Sequence, residues 1–482
     1  MRGSASVLAV AFAAILLDAC GPSGDSLPVA QDPAPQAATY LKASNAGASD
    51  QFGWAIALDG DTLVVGAPEE DSVATGVNSN QFADFNTLDN RGAVYVFVRS
   101  GGIWVQQAYI KPLVHDAQDN FGRSVAISGN TLVVGAPSEG SGIRTNPADN
   151  SAPGSGAAYV FVRDGTSWTQ QAYLKASTIG TNANFGSSVA ISGETLAVGA
   201  PLDAGAGAVF VFARQAGAWM EQAVVRGSNT GAGDRFGISV ALSADTLAVG
   251  ATGEDNNAIG VSPAHPENNL RSESGAAYVF TRSGTTWSQQ AHIKASNPDG
   301  LDEFGWAVAL SGDTLAVSSK EERSAAVGIN GNQTDNTAVD AGAVYVFVRA
   351  GTVWTQQAYV KASNTEAGDA FGSSVALADD TLAVGASFES SAARGLNGNQ
   401  ADNTRNDAGA VYVYARTGTT WSQRAYVKAT NTDAADAFGT IAISGQTLAV
   451  GAIGESSSAT GINGNQSNNS APSSGAVYVF DL

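Results

Sequence analysis

The chain has 482 residues, with 56 glycines, one cysteine, 44 acidic and 24 basic residues, and a formal charge of −20. This acid excess disfavours nucleic acid and anionic lipid as partners, and one cysteine excludes an intramolecular disulfide. Length alone suggests several domains, but an uninterrupted repeat argues for one large unit.

At the start, Met1-Arg2 precedes an apolar run from Val7 to Leu17 that is too short to span a bilayer as a helix and is typical of a secretory signal. Leu17-Asp18-Ala19-Cys20 then looks like a bacterial lipobox, although Asp18 stands where a small residue is usual. Residues 1–19 are therefore read as a lipoprotein-type signal peptide and Cys20 as the residue to be acylated. Residues 20–36, with Pro22, Pro28, Pro33 and Pro35, read as a tether. The expectation is export, with lipid anchoring in the bacterial cell envelope (outer membrane or cell surface), or secretion where Cys20 is not acylated. The membrane would be touched only through that anchor.

From residue 37 to 482 one unit recurs, opened by Phe-Gly at Phe52, Phe121, Phe185, Phe236, Phe304, Phe371 and Phe438. Each unit holds four short apolar runs between turn signals, as at Phe371–Leu377, Thr381–Ala386, Ala410–Ala415 and Trp421–Ala429. The third run, Val94-Tyr95-Val96-Phe97-Val98 in the first unit, is apolar at every position, as in a strand buried on both faces. A lone four-stranded sheet cannot bury two faces, whereas seven arranged radially cover one another. The prediction is an all-β, seven-bladed β-propeller with four antiparallel strands per blade. The last unit stops after its third strand at Val477–Leu482, and the missing fourth matches Ala38-Thr39-Tyr40-Leu41-Lys42-Ala43-Ser44. The N-terminal strand should therefore complete the last blade and close the ring, hiding a sheet edge.

Phe52-Gly53 with Gly66-Ala67-Pro68, Phe121-Gly122 with Gly135-Ala136-Pro137, and Phe185-Gly186 with Gly199-Ala200-Pro201 carry a resemblance to the FG-GAP repeats of integrin-α-type β-propellers, common in bacterial envelope proteins. Blades four, six and seven keep Gly-Ala without Pro, and blade five has Ser318-Ser319. In that family the first-to-second strand connection often carries an Asp-rich DxDxDG calcium loop. All seven units lack it, so the usual metal site is not carried over.

Antiparallel alternation places the second-to-third and fourth-to-first connections on one face, here the upper, with tight turns such as Ser128-Gly129-Asn130 beneath. Blades five, six, seven and one, neighbours in a closed ring, carry Asn330-Gly331-Asn332-Gln333, Asn397-Gly398-Asn399-Gln400, Asn463-Gly464-Asn465-Gln466 and Asn78-Ser79-Asn80-Gln81. Such amides suit sugar hydroxyls or a protein partner; equally, they supply turns and satisfy their own backbone. Three residues beyond each Gly-Ala position stand Glu70, Glu139, Asp203, Glu254, Glu322, Glu389 and Glu455. Two residues before Phe-Gly stand Asp50, Asp119, Asp234, Asp302, Asp369 and Asp436, with Ala183 the exception. Both sets map to the upper face. They would bind calcium, another divalent cation or a cationic ligand group, or else cap turns and pair with Lys42, Lys111, Lys175, Lys294, Lys361 and Lys428 near the fourth-strand ends. Recurrence in every blade favours the second reading, because a ligand site uses few blades and a fold requirement applies to all.

Catalytic residues should break the repeat. The breaks are Ser318-Ser319-Lys320, Trp54 and Trp306 directly after Phe-Gly, and the three histidines His115, His265 and His292. None carries a nucleophile signature. The fourth-strand tryptophans (Trp104, Trp168, Trp219, Trp287, Trp354 and Trp421) suit sugar stacking or packing of the blade edge. The expected function is a monomeric, non-enzymatic extracytoplasmic recognition or adhesion module that offers an acidic, Asn-rich upper face to a protein or other macromolecule. A carbohydrate-binding lectin is the alternative and a polysaccharide-degrading enzyme the less favoured one.

Overall fold

The computed structural model describes residues 38–82, 89–265 and 268–482; the signal segment, Cys20 and the tether lie outside the described residues. Seven antiparallel sheets follow one another. Blade one is built from Ala55–Asp59, Thr62–Ala67, Ala93–Ser100 and Ile103–Ile110, paired in that order. Blade seven takes Phe438–Ser444, Thr447–Ala452 and Ala476–Asp481 from the chain end and Thr39–Leu41 from its beginning. Tyr40 lies opposite Tyr478 and Leu41 opposite Val477, so the ring closes as the sequence predicts. Among the described residues the sole helical element is a 3-10 turn, Asp203–Gly205, in the short loop of blade three.

The second and third strands are β-branched and aromatic because both their faces are covered. Thr62–Ala67 is buried throughout, and Ala93–Phe97 likewise. The core accordingly lies between blades: Val133 and Val160 of blade two pack with Leu196, Val198 and Phe210 of blade three. At the closure, Leu41, Val477 and Val479 of blade seven meet Leu63, Val65 and Tyr95 of blade one. The Phe of each Phe-Gly pair anchors its own blade; Phe52 lies edge-on to Tyr95 and Phe97, at centroid distances of 5.2 and 6.1 Å. Such contacts add about 0.5–1.5 kcal/mol beyond the area they bury.

Neighbouring first strands pack side by side around the ring and wall the central channel. The approach is close enough that a β-carbon at Gly66 would sit inside the carbonyl oxygen of Gly122 in the next blade. Gly122 itself has φ +93°, a conformation that favours glycine. The Gly-Ala and Phe-Gly signatures are thus one contact seen from two blades.

The fourth-strand tryptophans are packing groups. Trp168 donates its indole N–H to Gln107 of the preceding blade at 2.9 Å, and Trp219, Trp287, Trp354 and Trp421 repeat the bond with Gln171, Gln222, Gln290 and Gln357. An arginine lies over each ring, as Arg163 does over Trp168 at 5.2 Å. Covered in this way, they offer no open platform to a sugar.

Candidate functional site

The recurrent carboxylates stand just past the second strand, where the sequence places them, but they are turned inward. Glu70, Glu139, Glu254, Glu322, Glu389 and Glu455 are all buried. Each accepts from the lysine that ends the fourth strand of its own blade, Lys111, Lys175, Lys294, Lys361, Lys428 and Lys42 respectively, over 2.5 to 2.9 Å. Asp203 and Arg226 form the blade-three version at 2.6 Å. In five blades the second oxygen takes an amide from the strand-to-strand connector arriving from the blade before, namely Asn45 to Glu70, Asn229 to Glu254, Asn297 to Glu322, Asn364 to Glu389 and Asn431 to Glu455. The glutamate is therefore a latch between blades. It offers no exposed acidic ring.

The second set caps turns. Asp119 accepts the backbone N–H of Asp116, and Asp302 that of Asp299, both at 2.8 Å. Burial pushes the carboxyls of Asp119, Asp302, Asp369 and Asp436 up to about 7, and that of Asp234 to about 6.

The amide-rich loops are also internally used. Asn330, at φ 56°, accepts the Tyr359 N–H at 2.9 Å while its own N–H donates to the Tyr359 carbonyl. Asn397 does the same with Tyr426, and Asn463 with Tyr40. These bonds lay the loop along the outer edge of the fourth strand, where they protect it. Asn332, Asn399 and Asn465 accept from the backbone two residues on.

A calcium loop of the integrin type does not fit. The first turns carry at most two acids, and in blades one, four, five and six the last of them is held by arginine: Asp61 by Arg99, Asp245 by Arg282, Asp313 by Arg349 and Asp380 by Arg416. Among the described residues no group of three or more His, Cys, Asp or Glu side chains is arranged to hold a metal ion.

What differs from blade to blade converges elsewhere. The residue after Phe-Gly begins the channel-lining strand, and the two residues after Gly-Ala leave the second strand at the same end. From blades one to seven the first position reads Trp54, Arg123, Ser187, Ile238, Trp306, Ser373 and Thr440. Together with Pro68, Glu69, Ser138, Leu202 and Ile453 they line a cavity of about 840 Å³ at the upper mouth of the channel. On its wall the Arg123 guanidinium lies 3.9 Å from the Trp54 ring centroid, and the wall residue Trp306 carries the Lys320 ammonium 3.9 Å from its own centroid. Trp306 donates to the Ser373 carbonyl at 3.1 Å, which fixes its indole across the blade junction.

The other repeat breaks are accounted for. The Ser318 and Ser319 hydroxyls bond backbone groups of Ala307 and Asp302, so neither is poised as a nucleophile. His292 takes a tyrosine slot, stacked on Tyr278 at 4.6 Å and packed edge-on against His265; burial lowers its pKa to about 3. His115 bonds the Ala74 carbonyl. Sequence reasoning noticed Trp54, Trp306 and Lys320 but weighed them only for catalysis, and it passed over Arg123 and Glu69. The available signal was the column of unlike residues after Phe-Gly, read across blades.

No curated protein sequence matches the chain. Among solved structures, Saccharomyces cerevisiae Sqt1 aligns over 93% of this chain and 99% of its own at 10% identity, with a TM-score of 0.43, a likeness too slight to inform function. The FG-GAP repeat model matches seven times, at residues 37–97, 104–161, 168–212, 219–280, 287–347, 354–414 and 421–480, each match joining the outer strand of one blade to three strands of the next. The chain belongs to the FG-GAP repeat family of β-propellers.

Proposed function

We propose that this chain is a non-enzymatic recognition module that holds a partner protein at the upper mouth of its channel, outside the cytoplasm. One observation carries the reading. The polar residues common to the blades are consumed by the fold, whereas the positions at which blades differ meet around one cavity. A ring selected for folding alone has no cause to place two indoles, Trp54 and Trp306, and two arginines, Arg123 and Arg235, there. FG-GAP propellers typically act as binding modules, which agrees. The extracytoplasmic placement is supported by the apolar run Val7–Leu17 and by Cys20 in its lipobox-like context. A lectin reading now rests on Trp54 and Trp306 alone.

The test is a photo-cross-linking residue at Ser187 in the mouth or at Ser128 on the lower turn, irradiated in cell envelopes. The expected product is a protein adduct at Ser187 that Trp306→Ala abolishes. Equal adducts from both positions, or a glycan adduct in place of a protein, would overturn the proposal.

A further inference from the structure

We propose that the mouth selects a carboxylate, an Asp or Glu side chain of the partner, through the free edge of Arg123 held against Trp54. This rests on the reading of the mouth as the recognition site and names the chemistry it takes.

The argument is one of unspent donors. Arginines also lie over the six fourth-strand tryptophans, but those are paired: Arg99 with Asp61, Arg349 with Asp313, Arg163 with Asn130. Lys320, stacked on Trp306, is bonded to Glu321 at 2.7 Å and lies 3.3 Å from Glu303. Arg235 shares Glu303. Arg123 is different, since among the described residues its guanidinium makes no hydrogen bond or ion pair, Glu69 acting on it only through longer-range attraction, and its face is fixed on the indole. A guanidinium stacked by its face keeps its N–H fork in plane and available. That fork matches a carboxylate in bidentate fashion, and the stack has already removed much of the side chain's rotamer freedom. The side chain of Asn184, on the same cavity wall, likewise makes no hydrogen bond to a described residue and can donate to a second oxygen.

Charge then chooses among anions. Glu69 lines the same cavity and the whole chain carries −20, so any anion is repelled at range. A monoanionic carboxylate is opposed about half as strongly as a phosphate dianion, because the repulsion scales with ligand charge.

The test uses fluorine NMR of the full chain labelled with fluorotryptophan, which reports its eight tryptophans separately, the Trp54 signal being assigned with Trp54→Phe. The probes are a blocked Gly-Glu-Gly peptide, the same peptide with Gln, and galacturonate. The Trp54 signal should move saturably with the Glu peptide and stay still with the Gln peptide. Arg123→Gln should remove the movement while leaving the other signals in place, and Glu69→Gln should tighten binding severalfold. A still Trp54 signal, movement with the Gln peptide, or movement that survives Arg123→Gln would each overturn the carboxylate assignment. Movement with galacturonate alone would overturn the protein source. The mouth cross-link at Ser187 is read separately: if it persists and depends on Trp306 while Trp54 stays silent to carboxylates, only this inference falls.

Discussion

Lys111 and Glu70 meet inside blade one at 2.6 Å with both side chains sealed from solvent. Burial, with a smaller push from the Arg91 charge, holds the lysine pKa below its ordinary value, and Glu70 works against that shift. The same carboxylate takes Tyr109 at 2.8 Å and Asn45 from the connector that arrives from blade seven. One glutamate therefore ties the second strand, the fourth strand and the neighbouring blade. Removing the cation alone leaves a buried charge unpaired, which typically costs about 3–5 kcal/mol. Lys111→Met should show a loss of that order in urea unfolding, and adding Glu70→Gln, which keeps an acceptor for Asn45 and Tyr109, should recover part of it. A cost for Lys111→Met below about 1 kcal/mol would mean that the pair is a surface-like contact.

Ring closure depends on three residues of strand and one further pair. Thr39–Leu41 completes blade seven, and Lys42 reaches Glu455 at 2.8 Å and Ser474 at 2.7 Å. A chain beginning at Asn45 would expose the edge of Ala476–Asp481 and orphan Glu455. Its thermal midpoint should fall and its solubility drop, and a peptide spanning residues 37–44 added in trans should restore both. An unchanged midpoint in the shortened chain would show that the first blade holds the ring without the clasp.

The turn-capping aspartates set a pH dependence whose sign differs from the usual acid group. Asp302 is buried, one of its oxygens has no partner, and its pKa stands at about 7 against an ordinary value near 3.8. Between those values the unfolded chain has lost the proton and the folded one keeps it, so folding takes up protons and stability falls as pH rises. Asp119, Asp369 and Asp436 add in the same direction. The midpoint should therefore decline from about pH 5 to about pH 8 and level off above. Asp302→Asn keeps the acceptor for Asp299 and removes the titration; it should stabilise on the order of 1–3 kcal/mol at the alkaline end and by much less at the acid end. A uniform effect of Asp302→Asn across that range would refute the titration.

The fold was legible because its determinants repeat: period, strand pattern and the missing fourth strand all stand in the sequence, and Tyr40 opposite Tyr478 follows from them. The pairing of Glu70 with Lys111 was legible as one of two readings, but distance and burial decided it, and neither is written in spacing. The site was less legible for the opposite reason. Arg123 and Trp54 are 69 positions apart in sequence and lie on neighbouring blades, so only the ring brings them to 3.9 Å. The Asn loops allowed two readings because Asn330 is needed at positive φ and against Tyr359, a local demand that looks from the sequence like an offered surface.

The same accounting bears on calcium. Every recurrent glutamate has a lysine partner, and the first-turn acids Asp61, Asp245, Asp313 and Asp380 have arginines. A divalent ion would have to displace an internal cation and open a sealed site, and the DxDxDG loop that would spare that cost is absent. Bound ligand at a hundredfold over its dissociation constant stabilises a fold by about 2.7 kcal/mol, which in a chain of this size still moves the midpoint by a measurable amount. The expected result is that the midpoint in millimolar calcium coincides with that after chelation. A rise in calcium that survives Lys111→Met would place a cation site away from the latch glutamates. A rise that Glu389→Gln removes would show instead that one of those latches opens in solution, and that the ion pairs seen here compete with metal rather than exclude it.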